Sequence, residues 1–515
     1  MARLAAAAGV LLALVYADFA GGSGSAWRAA WMLAAAFTAR ALGRRARAGR
    51  VLAASLLIGA LRDPLAAFDI SFLLSAAATV GLIVIGRPLA ARCARLGFKP
   101  LRYLALSAAA TSSAMLPCAP LLALISPTLT VAGIAANVVA APFGEAAALP
   151  LCLAHAAFSP FPVLERGTAL VASGALLVVK RVAHSSADAR WLAFHVPPPS
   201  AWQLAVLVVG GVAVAFGGPL RRVWTLSSAA ALIVLELAIR RAGRPLGELR
   251  VTVVDVGQGD CTLVDLPDGQ LMLIDGGGFV GSPVDPGKSV ILPLLRARRR
   301  SRVDIVVLTH PHPDHFTGLA SALPELSVGQ YWDDGQGQDE GAGATYAGLI
   351  AGLRRRHVPI LRPPRLCGRV LHFGGATLRP LAPCPDYTPH IGANNNSIVL
   401  RIVYGRRAVM LMGDAEAPEE ARILAQHPGA LHADLLKVGH HGSRTSSTPA
   451  LLRAVHPAFA TISSGVRNRF GHPHAITLEK LAAAHIRALR LDRVGSVTFE
   501  TDGSTLGVRS FSTPH

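Results

Sequence analysis

The chain has few charged residues and few cysteines. Only 16% of its 515 residues are charged, whereas 52% are hydrophobic, and the mean hydropathy is +0.43. This composition is too apolar for an ordinary soluble enzyme, and the length suffices for two or three domains. The six cysteines, at positions 93, 118, 152, 261, 367 and 384, form no CxxC pair and no regular spacing. They indicate neither a disulfide framework nor a cysteine zinc site.

The chain also lacks the motifs of nucleotide-binding loops. Glycines follow the strand-like segment "LMLIDGGG" at 271–278, a position where a phosphate cradle is conceivable. No GxGxxG motif and no Walker lysine at its spacing accompany them, which argues against a nucleotide-binding loop.

Apolar residues are concentrated in the first half of the chain. Residues 1–240 carry the long apolar runs, whereas 248–515 alternates short β-like runs with Gly, Asp, His and Pro. We therefore predict a transmembrane helical domain over 1–240 and a water-soluble α/β domain over 248–515. Several runs fall short of the roughly 20 residues that cross a bilayer and are interpreted as broken or re-entrant helices. The candidate runs lie near 2–20, 27–41, 51–61, 65–86, 103–126, 128–157, 163–180, 202–217 and 223–239.

Arginine supplies most of the formal net charge of +19. The clusters at 40–50, 87–102 and 221–222 are typical of positive-inside flanks of membrane helices. If all the runs cross, these clusters lie on one side and the soluble half lies on the opposite, extracytoplasmic side. One miscounted run would reverse that order. Clusters at 296–302 and 353–357 face no bilayer and suit either a solvated face or a polyanion partner.

Polar residues inside the apolar runs are few, and each is costly in lipid. Asp63 stands beside Pro64, as expected for a helix end at the membrane interface. Asn137 and Glu145 flank Pro142, and we expect them to line a polar path.

A dense cluster of histidines begins where a buried strand is predicted to end. The strand "VDIVVLT" precedes "HPHPDH", which contains His310, His312, Asp314 and His315. Two imidazoles separated by one residue can converge on one metal ion, and the adjacent Asp–His pair can serve a second. Imidazole and carboxylate suit zinc or manganese, and two such ions about 3.5 to 4 Å apart activate water.

Two further strands end in residues of the same kind. "AVMLMGDAE" is predicted to be a strand that ends at Asp414, whose carboxylate can bridge two ions. "ADLLKVGHHGSRTSS" is predicted to be another, with His440 and His441 at its end. A carboxylate after an apolar strand is strong evidence only in the company of the histidine cluster.

The order HxHxDH, strand-GD, strand-HHGS resembles a metallo-β-lactamase-fold hydrolase. The segments "DVGQGD", "LIDGGG", "NNNSIVLRI", "LMGDAE", "LKVGHHGSRTSS" and "ISSGVRNRFGHPH" resemble the C-terminal domain of the ComEC family of DNA-internalisation competence proteins. "SAWRAAWMLAAAFTARALGRR", "DPLAAFDISFLLSAAATVGLI" and "GIAANVVAAPFGE" resemble that family's membrane domain. The resemblance covers nearly the whole chain. It implies a polytopic helical membrane domain followed by an αββα sandwich.

The resemblance implies a channel that passes single-stranded DNA across the cytoplasmic (inner) membrane. Its hydrolase domain, on the outer side, would act as a metal-dependent nuclease on the strand that is not taken up. The implied partners are the DNA backbone, the lipid bilayer and other DNA-uptake components, and an oligomer is possible.

The resemblance also assigns roles in a site with two divalent ions, Zn or Mn. His310 and His312 hold one ion; Asp314 and His315 hold the other. Asp414 bridges them, and Asp314 also orients the attacking water. Spacing does not decide between His440 and His441 for the remaining ligand, and His440 is favoured because it lies nearer the strand end. Candidates for phosphate contacts or for protonating the leaving oxygen are Lys437, His441, Ser443 and His472.

Two departures from the family pattern bear on these expectations. A further ligand histidine is expected before Asp414, yet His357, His372 and His390 stand in no matching motif, and Asn394–Asn396 occupy the interval. The first ion is therefore expected to have an open or weakly held position. Many members also carry an earlier soluble domain, so the chain is interpreted as a short form or a fragment with a late start.

Two other functions fit parts of the sequence. One is a transporter whose hydrolase domain grips DNA without cutting it, although a pure binding role does not need Asp314. The other is a membrane-anchored hydrolase of a small substrate such as a lactone or β-lactam, although an anchor does not need so many apolar runs.

Overall fold

The chain folds as two compact units, Met1–Ile233 and Val234–His515. The computed structural model describes residues 2–126, 128–216 and 218–510. The last five residues of the predicted 248–515 domain lie outside the described residues.

The first unit is built from helices. In chain order they are α1 (Ala2–Phe19), α2 (Gly24–Ala41), α3 (Ala48–Arg62), α4 (Ile70–Gly81), α5 (Arg87–Cys93), α6 (Lys99–Ile125), α7 (Ala132–Ala141), α8 (Leu149–Ala157), α9 (Pro162–Asp188), α10 (Ala201–Phe216) and α11 (Arg221–Gly243). Helix α11 continues past the boundary of the unit. Two short strands, β1 (Thr128–Thr130) and β2 (Ala193–His195), pair antiparallel.

Five helical stretches among the described residues are long and apolar enough to cross a membrane. They are Ile70–Cys93, Lys99–Ile125, Ala132–Ala157, Pro162–Asp188 and Gly218–Gly243. Two of them continue through a π-helical turn, Leu82–Gly86 between α4 and α5 and Pro142–Ala148 between α7 and α8. The predicted polytopic helical region is thereby confirmed, whereas the number of crossings stays a prediction.

Polar and small residues join helices within this unit. The Asn137 amide on α7 donates to Thr111 Oγ1 on α6 over 2.8 Å. A β-carbon at Gly81 on α4 would lie 1.9 Å from the Ser113 carbonyl oxygen on α6, so only glycine permits that approach. Asn137 thus acts as a link between helices, and its predicted place beside a polar path stays a prediction.

The second unit contains two mixed sheets. The first has the order β17-β16-β3-β4-β5-β6-β7-β8. Its strands are β3 (Leu249–Val253), β4 (Thr262–Asp265), β5 (Leu271–Ile274), β6 (Arg302–Val307), β7 (Ser327–Trp332), β8 (Ile360–Leu361), β16 (Val497–Thr501) and β17 (Gly507–Ser510). The second has the order β15-β14-β13-β12-β11-β10-β9. Its strands are β9 (Leu371–Phe373), β10 (Ala376–Ala382), β11 (Val399–Tyr404), β12 (Arg407–Leu411), β13 (Leu435–Lys437), β14 (Phe459–Ile462) and β15 (Arg487–Arg490).

Helices cover the outer faces of both sheets. The α-helices are α12 (Leu292–Ala297), α13 (Pro313–Ala322), α14 (Gly343–Arg355), α15 (Pro363–Leu366), α16 (Ala417–Gln426), α17 (Pro449–Val455), α18 (Ala475–Ala483) and α19 (Leu491–Val494). Val251 and Leu400 belong to one buried cluster that joins the two sheets. Separate clusters hold α13 to the first sheet and α16 to the second. The predicted αββα sandwich is confirmed.

The predicted site segments follow parallel strands in each sheet. Strands β5, β6 and β7 run parallel, as do β12, β13, β14 and β15. Asp275 follows β5, His310 follows β6, Asp414 follows β12 and His440 follows β13. Because the carboxyl ends of parallel strands open at one edge, these residues are brought together there.

One disulfide corrects the expectation from cysteine spacing. Cys367, just after α15, bonds to Cys384, just after β10, with a Cα–Cα distance of 5.6 Å. The two cysteines are 17 residues apart, and the antiparallel strands β9 and β10 lie between them. Such a pair has no recognisable motif in the sequence, because only the fold brings it together.

Candidate metal centre

The histidine cluster straddles the start of α13. His312 is the extended residue before the helix, and Pro313 occupies a first helical position. His310 therefore lies on the loop, whereas Asp314 and His315 lie in the first turn of the helix. His310 and His315 are completely buried.

Three predicted residues form one side of the centre. His310 Nε2 lies 2.9 Å from His312 Nδ1. His310 Nε2 also lies 3.9 Å from Asp414 Oδ2. These atoms come from the segments after β6 and β12, one in each sheet.

Asp414 is shared with a second group of ligand atoms. Its Oδ2 lies 3.3 Å from His315 Nε2 and 3.5 Å from His441 Nε2. His441 Nε2 also lies 3.4 Å from Asp314 Oδ2. The structure thus brings together Asp314, His315, Asp414 and His441, with Asp414 between the two sides of the centre.

The neighbouring histidines 440 and 441 face different surroundings. The His440 side chain is 24% exposed, and its Nδ1 lies 2.8 Å from Glu416 Oε1. Its Nε2 is 4.0 Å from Asp414 Oδ2, farther than the corresponding atom of His441. The geometry therefore favours His441, the alternative that spacing left open, over His440 as the ligand.

The backbone explains why the two side chains diverge. His440 and His441 have φ of 47° and 52°, in the left-handed region that non-glycine residues seldom adopt. Such strained conformations persist where the surrounding structure enforces them, frequently at functional sites. Here the turn buries His441 and leaves His440 at the rim.

Two buried aspartates that were not predicted as site residues lie beside the inner histidines. Asp275 Oδ2 lies 2.9 Å from His315 Nδ1, and Thr309 donates to the same carboxylate. His441 Nδ1 lies 3.0 Å from the Ser463 carbonyl oxygen, its hydrogen-bond partner, and 3.2 Å from Asp260 Oδ1. An oxygen atom that accepts the Nδ1 proton fixes the ring and leaves Nε2 free for a metal ion. The signal was present in "DVGQGD" and "LIDGGG", each of which places an aspartate beside a strand end.

The other predicted site residues surround this core. Lys437 is buried and forms an ion pair with Asp260, which favours a positioning role over a phosphate contact. Ser443 is buried, and its Oγ lies 2.8 Å from Thr445 Oγ1. The His472 ring lies 5.4 Å from that of His440.

The asparagine segment lies at the rim rather than among the ligands. Asn394 Nδ2 is 3.4 Å from His440 Nδ1. Asn396 donates to Gln336 Oε1 and to the Thr388 carbonyl oxygen, and so fastens its own loop. The expectation of an open position at the first ion stays a prediction.

Burial and mutual charge shift the pKa values of these groups. Burial opposes the charged form of His441, yet Asp414 and Asp260 raise its pKa to about 10. Burial also opposes ionisation of Asp414, but His441 and His315 hold its pKa well below the usual range. Burial and the neighbouring His441 lower the pKa of His472 to about 4. The neighbouring histidines thus stabilise Asp414 in its charged form, as a metal-ligating carboxylate must be.

The donor set fits divalent metal ions. Among the described residues, His315 Nε2, His441 Nε2 and Asp414 Oδ1 are buried without a hydrogen-bond partner. Buried polar atoms are rarely left unsatisfied, and ligand atoms of His310, His315 and Asp414 lie within 4.8 Å of one another. Imidazole nitrogen and carboxylate oxygen are the ligands of zinc and manganese. Divalent cations bound in this cluster would supply partners for these atoms.

Comparison with protein families agrees with this assignment. Residues 254–466 match the metallo-β-lactamase superfamily. The second unit is therefore similar to the metal-dependent hydrolases of that superfamily. Residues 1–220 match the family described as competence protein. With both domains in one chain, the resemblance to the ComEC family of competence proteins is confirmed.

Two curated proteins are similar to this chain in sequence. ComE operon protein 3 of Bacillus subtilis is 31% identical over 268 residues, which cover 49% of this chain and 33% of the relative. Competence protein ComA of Neisseria gonorrhoeae is 31% identical over 255 residues, covering 50% of this chain and 33% of the relative. These alignments span about a third of each relative's length.

Solved structures give only distant matches. CmlA, a diiron β-hydroxylase from Streptomyces venezuelae, is 15% identical with a TM-score of 0.31, covering 49% of this chain and 54% of its own. A diphosphatase of the PhnP family is 15% identical with a TM-score of 0.30, covering 49% of this chain and 98% of its own.

Proposed function

We propose that this chain acts in DNA uptake during natural transformation. In this proposal the first unit passes single-stranded DNA through the cytoplasmic membrane, and the second hydrolyses phosphodiester bonds of the strand left outside. The observation that carries the proposal is a metallo-β-lactamase-type ligand cluster in the same chain as a competence domain.

We assign the ligands of two divalent ions from the distances in the cluster. His310, His312 and Asp414 would hold the first. Asp314, His315, His441 and Asp414 would hold the second. When bound, such ions activate water and neutralise charge on the phosphoryl oxygens.

The remaining residues of the site prepare this chemistry. Asp275 holds Nδ1 of His315, and the Ser463 carbonyl oxygen holds Nδ1 of His441 beside Asp260. Asp314 carries a carboxylate beside His441 Nε2, where it can accept a hydrogen bond from an attacking water. His440 and His472 line the rim, where a phosphate or a leaving oxygen can be contacted.

The disulfide supports an extracytoplasmic position for the hydrolase domain. Disulfides persist in oxidising compartments and are rare in the reducing cytosol. The bond between Cys367 and Cys384 therefore agrees with the count of apolar runs and basic flanks, which places this domain outside. There it would meet DNA before or during transport.

The test is cleavage of DNA by the full chain purified in detergent. With Mn²⁺ or Zn²⁺ we expect cleavage of a single-stranded oligonucleotide, and we expect a chelator to abolish it. Asp314→Ala should abolish it as well. Asp386→Ala is the control, because that carboxylate is exposed and outside the cluster.

Each alternative function predicts a different outcome. DNA binding without cleavage under any metal would favour a hydrolase domain that only grips the strand. Hydrolysis of a lactone or β-lactam without DNA binding would favour an anchored hydrolase of a small substrate. Either result would contradict the nuclease proposal.

A further inference from the structure

Two phenylalanines from separate loops stack beside the metal centre. Phe279 follows the glycines after β5, and Phe470 lies in the loop between β14 and α18. Their ring centroids are 6.4 Å apart with an angle of 21° between the planes. Phe470 is 41% exposed, so part of its side chain is open to solvent.

The pair is connected to the metal centre through His472. The Phe470 and His472 rings are stacked with centroids 5.8 Å apart. The His472 ring lies 6.0 Å from that of His441, which we assign as a metal ligand. A row of rings thus leads from the ligand cluster to the protein surface.

An arginine adds positive charge to the aromatic pair. The Arg469 guanidinium carbon lies 5.0 Å from the centre of the Phe470 ring and 5.6 Å from that of Phe279. Arg469 is exposed, so its donors are available to a ligand as well as to the rings. Aromatic faces next to a cation are typical of surfaces that bind single-stranded nucleic acids.

The loop that presents these side chains is held in shape. Asn468 Nδ2 donates to the Gly465 and His472 carbonyl oxygens, and Asn468 Oδ1 accepts from the backbone of His472. Gly465 N in turn donates to Gln258 Oε1. The pair therefore borders a fixed groove of about 620 Å³, which Gln258 and Pro313 also line.

We propose that Phe470, with Phe279 and Arg469, forms a stacking subsite for an unpaired nucleobase of single-stranded DNA, next to the phosphate held at the metal centre. The subsite rests on the proposed nuclease function. Every base has an aromatic face, so the subsite binds without sequence preference. A base inside a duplex has both faces covered by its neighbours, so the subsite selects single strands.

The test measures equilibrium binding rather than cleavage. The full chain, loaded with Mn²⁺, is titrated with a phosphorothioate single strand that resists hydrolysis and carries a fluorescent purine analogue. We expect quenching of the analogue by stacking in the wild type. Phe470→Leu should weaken binding between about 5-fold and 100-fold and abolish the quenching, whereas Phe470→Tyr should retain both.

Two comparisons separate stacking from a structural effect. Moving a single abasic position along the strand should weaken wild-type binding at one position only, and that sensitivity should vanish in Phe470→Leu. Arg469→Gln should weaken binding more than Arg467→Gln, a change of the same charge in the same loop.

The outcomes of these experiments distinguish the stacking subsite from the proposed nuclease function. If the wild type binds and cleaves DNA but no abasic position matters and Phe470→Leu binds equally well, the subsite is overturned and the nuclease stands. If the wild type binds no single strand, the proposed function fails and the subsite fails with it. The abasic series uses wild-type protein alone, so it decides even if a variant misfolds.

Discussion

Oxygen atoms hold both inner histidines of the metal centre by Nδ1, the ring nitrogen that faces away from it. The Asp275 carboxylate does this for His315, and the Ser463 carbonyl oxygen does it for His441, with Asp260 nearby. We predict that Asp275→Asn, which keeps the shape and removes the charge, weakens metal binding by about 10-fold to 100-fold. Competition with a coloured chelator measures this affinity. Asp268→Asn, a change in the turn before β5, is the control and should leave it unchanged.

The two adjacent histidines after β13 provide a matched pair of variants. Because His441 Nε2 lies nearer both Asp314 and Asp414 than His440 does, we predict that His441→Ala loses one bound ion per chain. His440→Ala should keep the full number. Metal content after dialysis, measured by mass spectrometry, gives the count. Loss of an ion in His440→Ala alone would restore the original preference for His440.

Some residues of the metal centre can be predicted from the sequence, and others cannot. The HxHxDH cluster and Asp414 stand directly after apolar strands, so their chemistry can be inferred from local pattern. The partnership of Asp260 with His441 joins residues far apart in the chain, and only the sheet order makes them neighbours. The choice between His440 and His441 depends on left-handed backbone angles that spacing does not encode.

The disulfide closes the segment that contains the paired strands β9 and β10. Its two cysteines are 17 residues apart, and a loop of that length corresponds to about 3 kcal/mol of stabilisation in the chain-entropy account. We predict that Cys384→Ser lowers the melting temperature of the hydrolase domain by roughly 6 to 12 °C. Differential scanning calorimetry of the full chain measures it.

Reductant provides the internal check on this prediction. It should lower the melting temperature of the wild type toward that of Cys384→Ser and leave the variant unchanged. Cys152→Ser, which changes an exposed free cysteine, should behave like the wild type in both conditions. A wild type insensitive to reductant would show that the bond does not contribute to stability.

Strands of the hydrolase domain are easier to predict than helices of the membrane half. Runs such as "VDIVVLT" are β-branched and end at polar clusters, so both type and end are visible in the sequence. In the membrane half, α7 and α8 continue through a π-helical turn at Pro142–Ala148, where a proline suggests a break. An apolar run shows only that a segment can lie in the membrane. The length of its helix also depends on whether the chain bends or stops at a proline within the run.

At the scale of the whole molecule, charge and redox chemistry give the same location for the hydrolase domain. Lysine and arginine number 50 against 31 acidic residues, so the chain suits a polyanion such as DNA. A disulfide in the hydrolase domain and basic clusters between the apolar runs both support the proposed position of that domain outside the cytoplasm. The two arguments are independent, because one concerns thiols and the other concerns membrane topology.

Membrane orientation can be tested with two single cysteines on opposite sides. Asp386→Cys adds an exposed thiol to the hydrolase domain, and Arg45→Cys adds one to the basic cluster at 40–50. We predict that a membrane-impermeant maleimide labels the first in intact spheroplasts and labels the second only after the membrane is opened. The wild-type chain gives the background from its own cysteines. The reverse pattern would place the hydrolase domain in the cytoplasm and remove it from the path of incoming DNA. Labelling of both in intact spheroplasts would mean that an even number of crossings separates the two sites, and the count of nine crossing runs would be wrong.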